Sequence, residues 1–174
     1  SNVNIKAFGL AKGKELISDD FYDVRVFENL VIGIVTDGVG SAQKGAIASR
    51  RIVNSLIANF KNRPHSWDIS KSLDTFIKSI NRILYLESME DYDKTELVST
   101  LCVVVIEGNR LYGANVGDSR IYLLRDEKLL QLSHDHSMDE EGMEHVLTQA
   151  IGLSGEVEPY FFENSIEEGD KVLL

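Results

Sequence analysis

The segment Leu101-Cys102-Val103-Val104-Val105-Ile106 is apolar at every position. Successive side chains of a strand point to opposite faces, so a strand of this kind needs cover on both. Residues 31–35, Val-Ile-Gly-Ile-Val, make the same demand. A plain two-sheet sandwich exposes one face of each sheet and shows stronger alternation. Two doubly covered strands therefore predict helices outside and a second sheet inside. The connections set the strand direction. Residues 24–27 and 30–35 are joined by Glu28-Asn29. Strands expected at 101–106, 110–114, 119–124 and 129–132 are separated by Glu107-Gly108-Asn109, Gly117-Asp118 and Asp126-Glu127. Such intervals suit antiparallel neighbours, because a parallel crossover needs a dozen or more residues. The expectation is an α+β fold, a four-layer α-β-β-α sandwich with mainly antiparallel sheets.

Two helices are available for the outer layer. Ala42, Ala46, Ser49, Ile52, Val53, Leu56, Ile57 and Phe60 recur every three or four residues and predict a helix over 42–60. Its first half is built of small residues, among them Gly45, Ala46, Ala48 and Ser49, which permit close approach to a sheet at some cost in helicity at Gly45. A second helix over 70–88 places Leu73, Phe76, Ile77, Ile80, Ile83 and Leu84 on one stripe. A weak first strand at 4–8, a short helix over 140–149 and strands at 160–162 and 171–174 complete the expectation. The last strand ends while still apolar. Residues 1–174 thus read as one domain, incomplete at its C-terminus.

The formal net charge of −10 discourages binding to a nucleic-acid backbone. No stretch approaches the roughly 20 apolar residues that span a bilayer, and Ser1-Asn2-Val3-Asn4 opens no basic leader. No nucleic acid, no membrane and a cytoplasmic location are expected. The single cysteine, Cys102, lies inside an apolar strand and reads as a buried thiol. The four histidines lack the HExxH spacing.

The segment Ile34-Val35-Thr36-Asp37-Gly38-Val39-Gly40-Ser41 combines a buried strand, a carboxylate, two glycines and a helix start. Glycine lets the chain turn sharply with its backbone unobstructed, and oxygen donors suit Mg²⁺ or Mn²⁺. Asp-Gly is also a common turn, so this segment alone leaves a metal ligand and an ordinary turn both open. Neither the Gly-x-Gly-x-x-Gly nor the Gly-x-x-x-x-Gly-Lys-Ser/Thr spacing of nucleotide loops is present.

Further blocks add to it. Gly45-Ala46-Ile47-Ala48-Ser49 follows, then Ser99-Thr100-Leu101, Asn115-Val116-Gly117-Asp118-Ser119-Arg120, Leu132-Ser133-His134-Asp135-His136-Ser137, Leu147-Thr148-Gln149-Ala150-Ile151-Gly152 and Gly169-Asp170-Lys171-Val172-Leu173-Leu174. In type and order the set resembles the metal-dependent protein phosphatases of type 2C, bacterial type. The resemblance implies hydrolysis of phosphoserine and phosphothreonine in proteins by a metal-activated water, with two or three Mn²⁺ or Mg²⁺ ions in a complete domain. It implies Asp37 as the catalytic centre bridging two metals and the Gly38 carbonyl as a ligand to one. Asp19 or Asp20 would hold that metal directly or through water, and Asp118 would serve an additional, weaker site. The implied partners are a phosphorylated protein and a cognate serine/threonine kinase. Ser41, Ser119 and His136 are read as structural.

The sequence also departs from the family pattern. Glu15 stands where an early phosphate-binding arginine falls, with Lys14 beside it, and Val39 replaces a histidine found in some members. Residues 139–145 leave little room for a mobile flap. The chain ends before a Ser-Asp-Gly block and an Asp-Asn block that normally supply two metal carboxylates. A weak or inactive fragment of an active parent is expected, and a catalytically inactive regulatory or binding module is the alternative.

Overall fold

The computed structural model describes residues 18–174. The strand expected at 4–8, together with Lys14 and Glu15, lies outside them. In the described residues, β1 (Asp20–Phe27) and β2 (Leu30–Val39) form a hairpin, followed by α1 (Ala42–Lys61) and α2 (Ile69–Tyr92). Then come β3 (Val98–Ser99), β4 (Leu101–Glu107), β5 (Arg110–Val116), β6 (Tyr122–Arg125), β7 (Lys128–Gln131), β8 (Tyr160–Ser165) and β9 (Lys171–Leu173). All pairings are antiparallel. One sheet runs β1-β2-β4-β5-β8 with β3 also on β2, and the other runs β7-β6-β9.

Alternation along β4 divides the core. Leu101, Val103 and Val105 join Ile32, Ile34, Ala114 and Val116 under the helices, against Ile52, Leu56, Leu73 and Ile77. Cys102, Val104 and Ile106 face the other way, joining Leu111 and Ile121 with Leu132, Phe162 and Val172 packed against them. The layer order is thus helix, large sheet, small sheet, as in the α-β-β-α sandwich. Among the described residues no helix covers the outside of the small sheet, where Leu129 and Leu130 are 57% and 52% exposed.

The helices owe their positions to ordinary physical causes. Ser41 caps α1 by accepting the Lys44 amide (3.4 Å), and Asp68 caps α2 by accepting the Lys71 amide (2.7 Å). The buried side of α1 is Gly45, Ala46, Ala48, Ser49, Ile52, Val53, Leu56 and Phe60, the stripe expected from the sequence. Phe60 meets Phe76 of α2 edge to face at 5.3 Å.

Three expected element positions are corrected. Residues 140–149 are not a helix. Gly142 sits at φ +81, and the ends of this segment are claimed by cross-chain bonds, Thr148 N to His136 O (2.9 Å) and Met138 N to Val146 O (2.9 Å). What remains is a looped hairpin held by single turns. The strand expected at 119–124 begins only at Tyr122, because the Ile121 amide donates to Ser133 Oγ (2.9 Å) rather than to a facing strand. The partner expected at 129–132 shifts one residue, to Lys128–Gln131, because Asp126 and Glu127 take positive φ (51° and 62°) in a two-residue turn.

Candidate metal centre

Asp20 faces Asp37 directly across the β1–β2 ladder. Asp19 is the residue before β1, and its carbonyl accepts the Gly38 amide at 2.8 Å, so all three aspartates are drawn to one end of the hairpin. Donor oxygens of Asp19, Asp20 and Asp37 lie within 4.8 Å of one another, and all three side chains reach solvent at least in part.

The strand end is fixed by a backbone contact that only glycine permits. A Cβ on Gly38 would lie 2.4 Å from the Gly45 carbonyl, and one on Gly45 would lie 3.0 Å from the Gly38 carbonyl carbon. Strand β2 therefore runs directly onto the first turn of α1. Thr36, fully buried, ties the same corner together by donating its hydroxyl toward Phe21 O (3.0 Å) and Ser49 O (3.2 Å). Gly40 makes the turn into the helix at φ +85.

On its other side, β2 meets Thr100. The pairs Val35 with Cys102 and Gly38 with Ser99 keep one register, so Asp37 and Thr100 stand opposite each other. The Thr100 amide donates to Asp37 O (2.9 Å). The return bond is unusual: the Asp37 amide donates to Thr100 Oγ1 (3.1 Å), while the Thr100 carbonyl accepts the Ser99 hydroxyl (2.9 Å). Thr100 Oγ1 also shares a hydrogen bond with Ser119 Oγ (2.7 Å), next to Asp118.

Asp118 is exposed on a tightly held loop. Gly117 adopts φ +107 against Thr100. Its amide donates to His136 Nδ1 (3.1 Å) and its carbonyl accepts the His136 amide (2.9 Å). The buried Asn115 side chain bonds His134 O (2.6 Å) and Gly117 O (3.3 Å), and accepts the His134 amide (3.2 Å). Arg120 grips Asp135 through Nε (3.0 Å) and Nη2 (2.6 Å). The Asn-Val-Gly-Asp-Ser-Arg and Ser-His-Asp-His blocks thus act on each other. Sequence reasoning identified them but missed the roles of Thr100 and Asn115, whose partners lie 63 and 19 residues away.

Electrostatics concentrates on Asp37. Burial, contact with the Asp20 carboxyl and the charges of Asp20, Asp19 and Asp118 push it up to about 7. The first three carboxylates form the compact group, with Asp118 close enough to add to the field. Among the described residues, the ion pairs engage other carboxylates and none of these three. A cluster of hard oxygen donors with concentrated negative charge fits a divalent cation such as Mg²⁺ or Mn²⁺. Cys102 contributes no chemistry here, since burial and the nearby charges of Asp118 and Asp135 push its thiol up to about 12.

The fold is a helix-covered antiparallel sandwich, and Asp19, Asp20 and Asp37 gather at the end of one hairpin as a donor set that fits a divalent cation. Residues 11–157 match the family model described as protein phosphatase 2C, and the chain belongs to that family. It is 31% identical over 165 residues to the serine/threonine phosphatase stp of Listeria monocytogenes serotype 4b, covering 84% of this chain and 66% of that protein. The chain thus spans about two thirds of the length of the curated relatives it matches. The structure of the Streptococcus agalactiae serine/threonine phosphatase superposes with a TM-score of 0.79 at 27% identity, over 92% of this chain and 73% of that one. The catalytic domain of the phosphatase PstP, solved with two manganese ions, superposes with a TM-score of 0.72 at 25% identity, over 91% and 70% of the respective chains.

Proposed function

We propose that this chain is the larger part of a phosphatase domain that hydrolyses phosphoserine and phosphothreonine in proteins with a metal-activated water. The observation that carries the reading is the convergence of Asp19, Asp20 and Asp37 within 4.8 Å at the end of one hairpin. Family membership supports the enzymatic role over a non-catalytic binding module.

In this reading Asp37 is the central ligand, Asp19 or Asp20 and the Gly38 carbonyl assist it, and Asp118 serves a further, weaker ion. Bound Mn²⁺ or Mg²⁺ supplies a water of lowered pKa and charge stabilisation for phosphoryl oxygens. The protein's part is to hold the carboxylates before the ion arrives. The Gly38–Gly45 contact fixes the strand end, and the Gly117–His136 pair of bonds fixes the Asp118 loop. His136 uses Nδ1 as an acceptor from the Gly117 amide, which gives it a scaffolding role.

Two or three ions, a phosphoprotein substrate, a cognate serine/threonine kinase and a cytoplasmic setting belong to the same proposal. No helix among the described residues is long and apolar enough to cross a membrane. Residues 1–174 taken alone are expected to be weak or inactive, with the full-length protein carrying the activity. The test is phosphate release from a phosphothreonine peptide by the full-length protein, with and without Mn²⁺. Metal-dependent turnover that an Asp37→Asn variant loses supports the proposal; turnover indifferent to both overturns it.

A further inference from the structure

We infer that Thr100 and Ser119 act as a hydroxyl pair that positions Asp37 and Asp118 relative to each other. The inference rests on the metal-binding reading above and adds two residues to it. Asp37 and Thr100 are opposed in a continuous register. In such a pair each residue ordinarily gives its amide to the other's carbonyl. Here one of the two bonds is made by a side chain: the Asp37 amide reaches Thr100 Oγ1, and the Thr100 carbonyl accepts the Ser99 hydroxyl instead. The main chain of Asp37 is therefore held by a hydroxyl that is itself bonded to Ser119, the residue after Asp118.

The pair is also enclosed. Thr100 is 2% exposed, and its methyl group lies 2.8 Å from where a Cβ on Gly117 would be. Gly117 is in turn held by His136 on both its amide and its carbonyl. Asp37, near the end of β2, and Asp118, on the loop after β5, are thus linked through two hydroxyls, with no side-chain contact of their own needed. Valine has nearly the shape of threonine but neither donates nor accepts. Serine keeps the hydroxyl and loses only the methyl.

The experiment is calorimetric titration of the full-length protein with Mn²⁺, alongside Thr100→Val, Thr100→Ser, Ser119→Ala, the Thr100→Val/Ser119→Ala double variant and Asp37→Asn. Melting curves establish which variants are folded at the titration temperature. Thr100→Val is expected to weaken Mn²⁺ binding by roughly 10–100-fold, the range found when groups supporting metal ligands are removed. Ser119→Ala should behave similarly, and the double variant should be little worse than either, because the hydroxyls act as one unit. Thr100→Ser should restore most of the affinity. If folded Thr100→Val and Ser119→Ala bind Mn²⁺ as the unaltered protein does, with only their melting temperatures reduced, the pair is structural and the inference falls alone. If the unaltered protein and Asp37→Asn bind equally, or neither binds, the metal-binding reading falls and takes the inference with it. Should Thr100→Val unfold, Thr100→Ser against Ser119→Ala gives the same comparison: equal affinities overturn the inference.

Discussion

Asp20 and Asp37 are direct cross-strand partners at the open end of the β1–β2 hairpin. Like charges opposed in this way oppose pairing, by roughly 0.2–1 kcal/mol on an ordinary sheet surface, and Asp19 adds a third carboxylate to the same space. The hairpin end thus carries an unfavourable electrostatic contribution to its own stability.

Removing one of these charges should therefore stabilise the metal-free protein. Asp37→Asn is expected to raise its unfolding free energy by about 1 kcal/mol in urea, where relief of repulsion outweighs the loss of a solvated carboxylate. The same variant should gain nothing from added Mn²⁺. An Asp37→Asn protein less stable than the metal-free parent would contradict the repulsion.

The pH dependence has a definite sign. Asp37 titrates near 7 in the folded chain against an ordinary 3.8, so the folded state holds its proton more tightly than the unfolded state. Its contribution is favourable at low pH and is lost as pH rises from about 4 to about 7. Solvent reaches the side chain, and screening trims the loss to about 1 kcal/mol. The difference in stability between the parent and Asp37→Asn, followed by urea unfolding in chelator, should widen across that window and level off above it.

His136 runs the other way. Its burial, and secondarily the charge of His134, lower its pKa from the ordinary 6.5 in spite of Asp135. Nδ1 accepts from Gly117 only while the ring is neutral. The stabilisation is present above pH 6.5 and is lost as pH falls through the lowered value. His136→Asn retains an amide oxygen near the acceptor position and should flatten this acid limb. Unfolding curves of the two proteins between pH 5 and about 7.5 check it.

The contact of β2 with α1 should tolerate no added atoms. Gly38→Ala places a methyl 2.4 Å from main-chain atoms of Gly45, where no rotamer can relieve the clash. A loss of about 1–3 kcal/mol is expected, the range for overpacked sites, together with weaker Mn²⁺ binding as the strand end moves. Gly40→Ala, with open space around it but φ +85, should cost less stability and so separates crowding from backbone strain.

The sequence was most informative where one residue's neighbours decide its environment. Doubly apolar β4 announced both core layers, and the spacing of Ala46, Ile52 and Leu56 announced the buried side of α1. The carboxylates at 19, 20 and 37 were legible through the order of the surrounding blocks, and the structure brings those three together. Residues 140–149 misled because their composition permits a helix, whereas Gly142 and bonds to His136 and Met138 close a loop. The substitution of a hydroxyl for a carbonyl at Thr100 left no trace in local pattern. It depends on Asp37 and Ser119, which only the folded chain brings beside it.

The two-sided character of β4 bears on how the protein acquires its structure. A chain that has docked its helices but not the small sheet would present Cys102, Val104 and Ile106 to water as an apolar row on an ordered strand. Apolar surface exposed in this way on a partly folded chain promotes association with other chains. The two coverings are therefore best completed in a single concerted transition, and refolding yield should fall with protein concentration if they are made to form in succession.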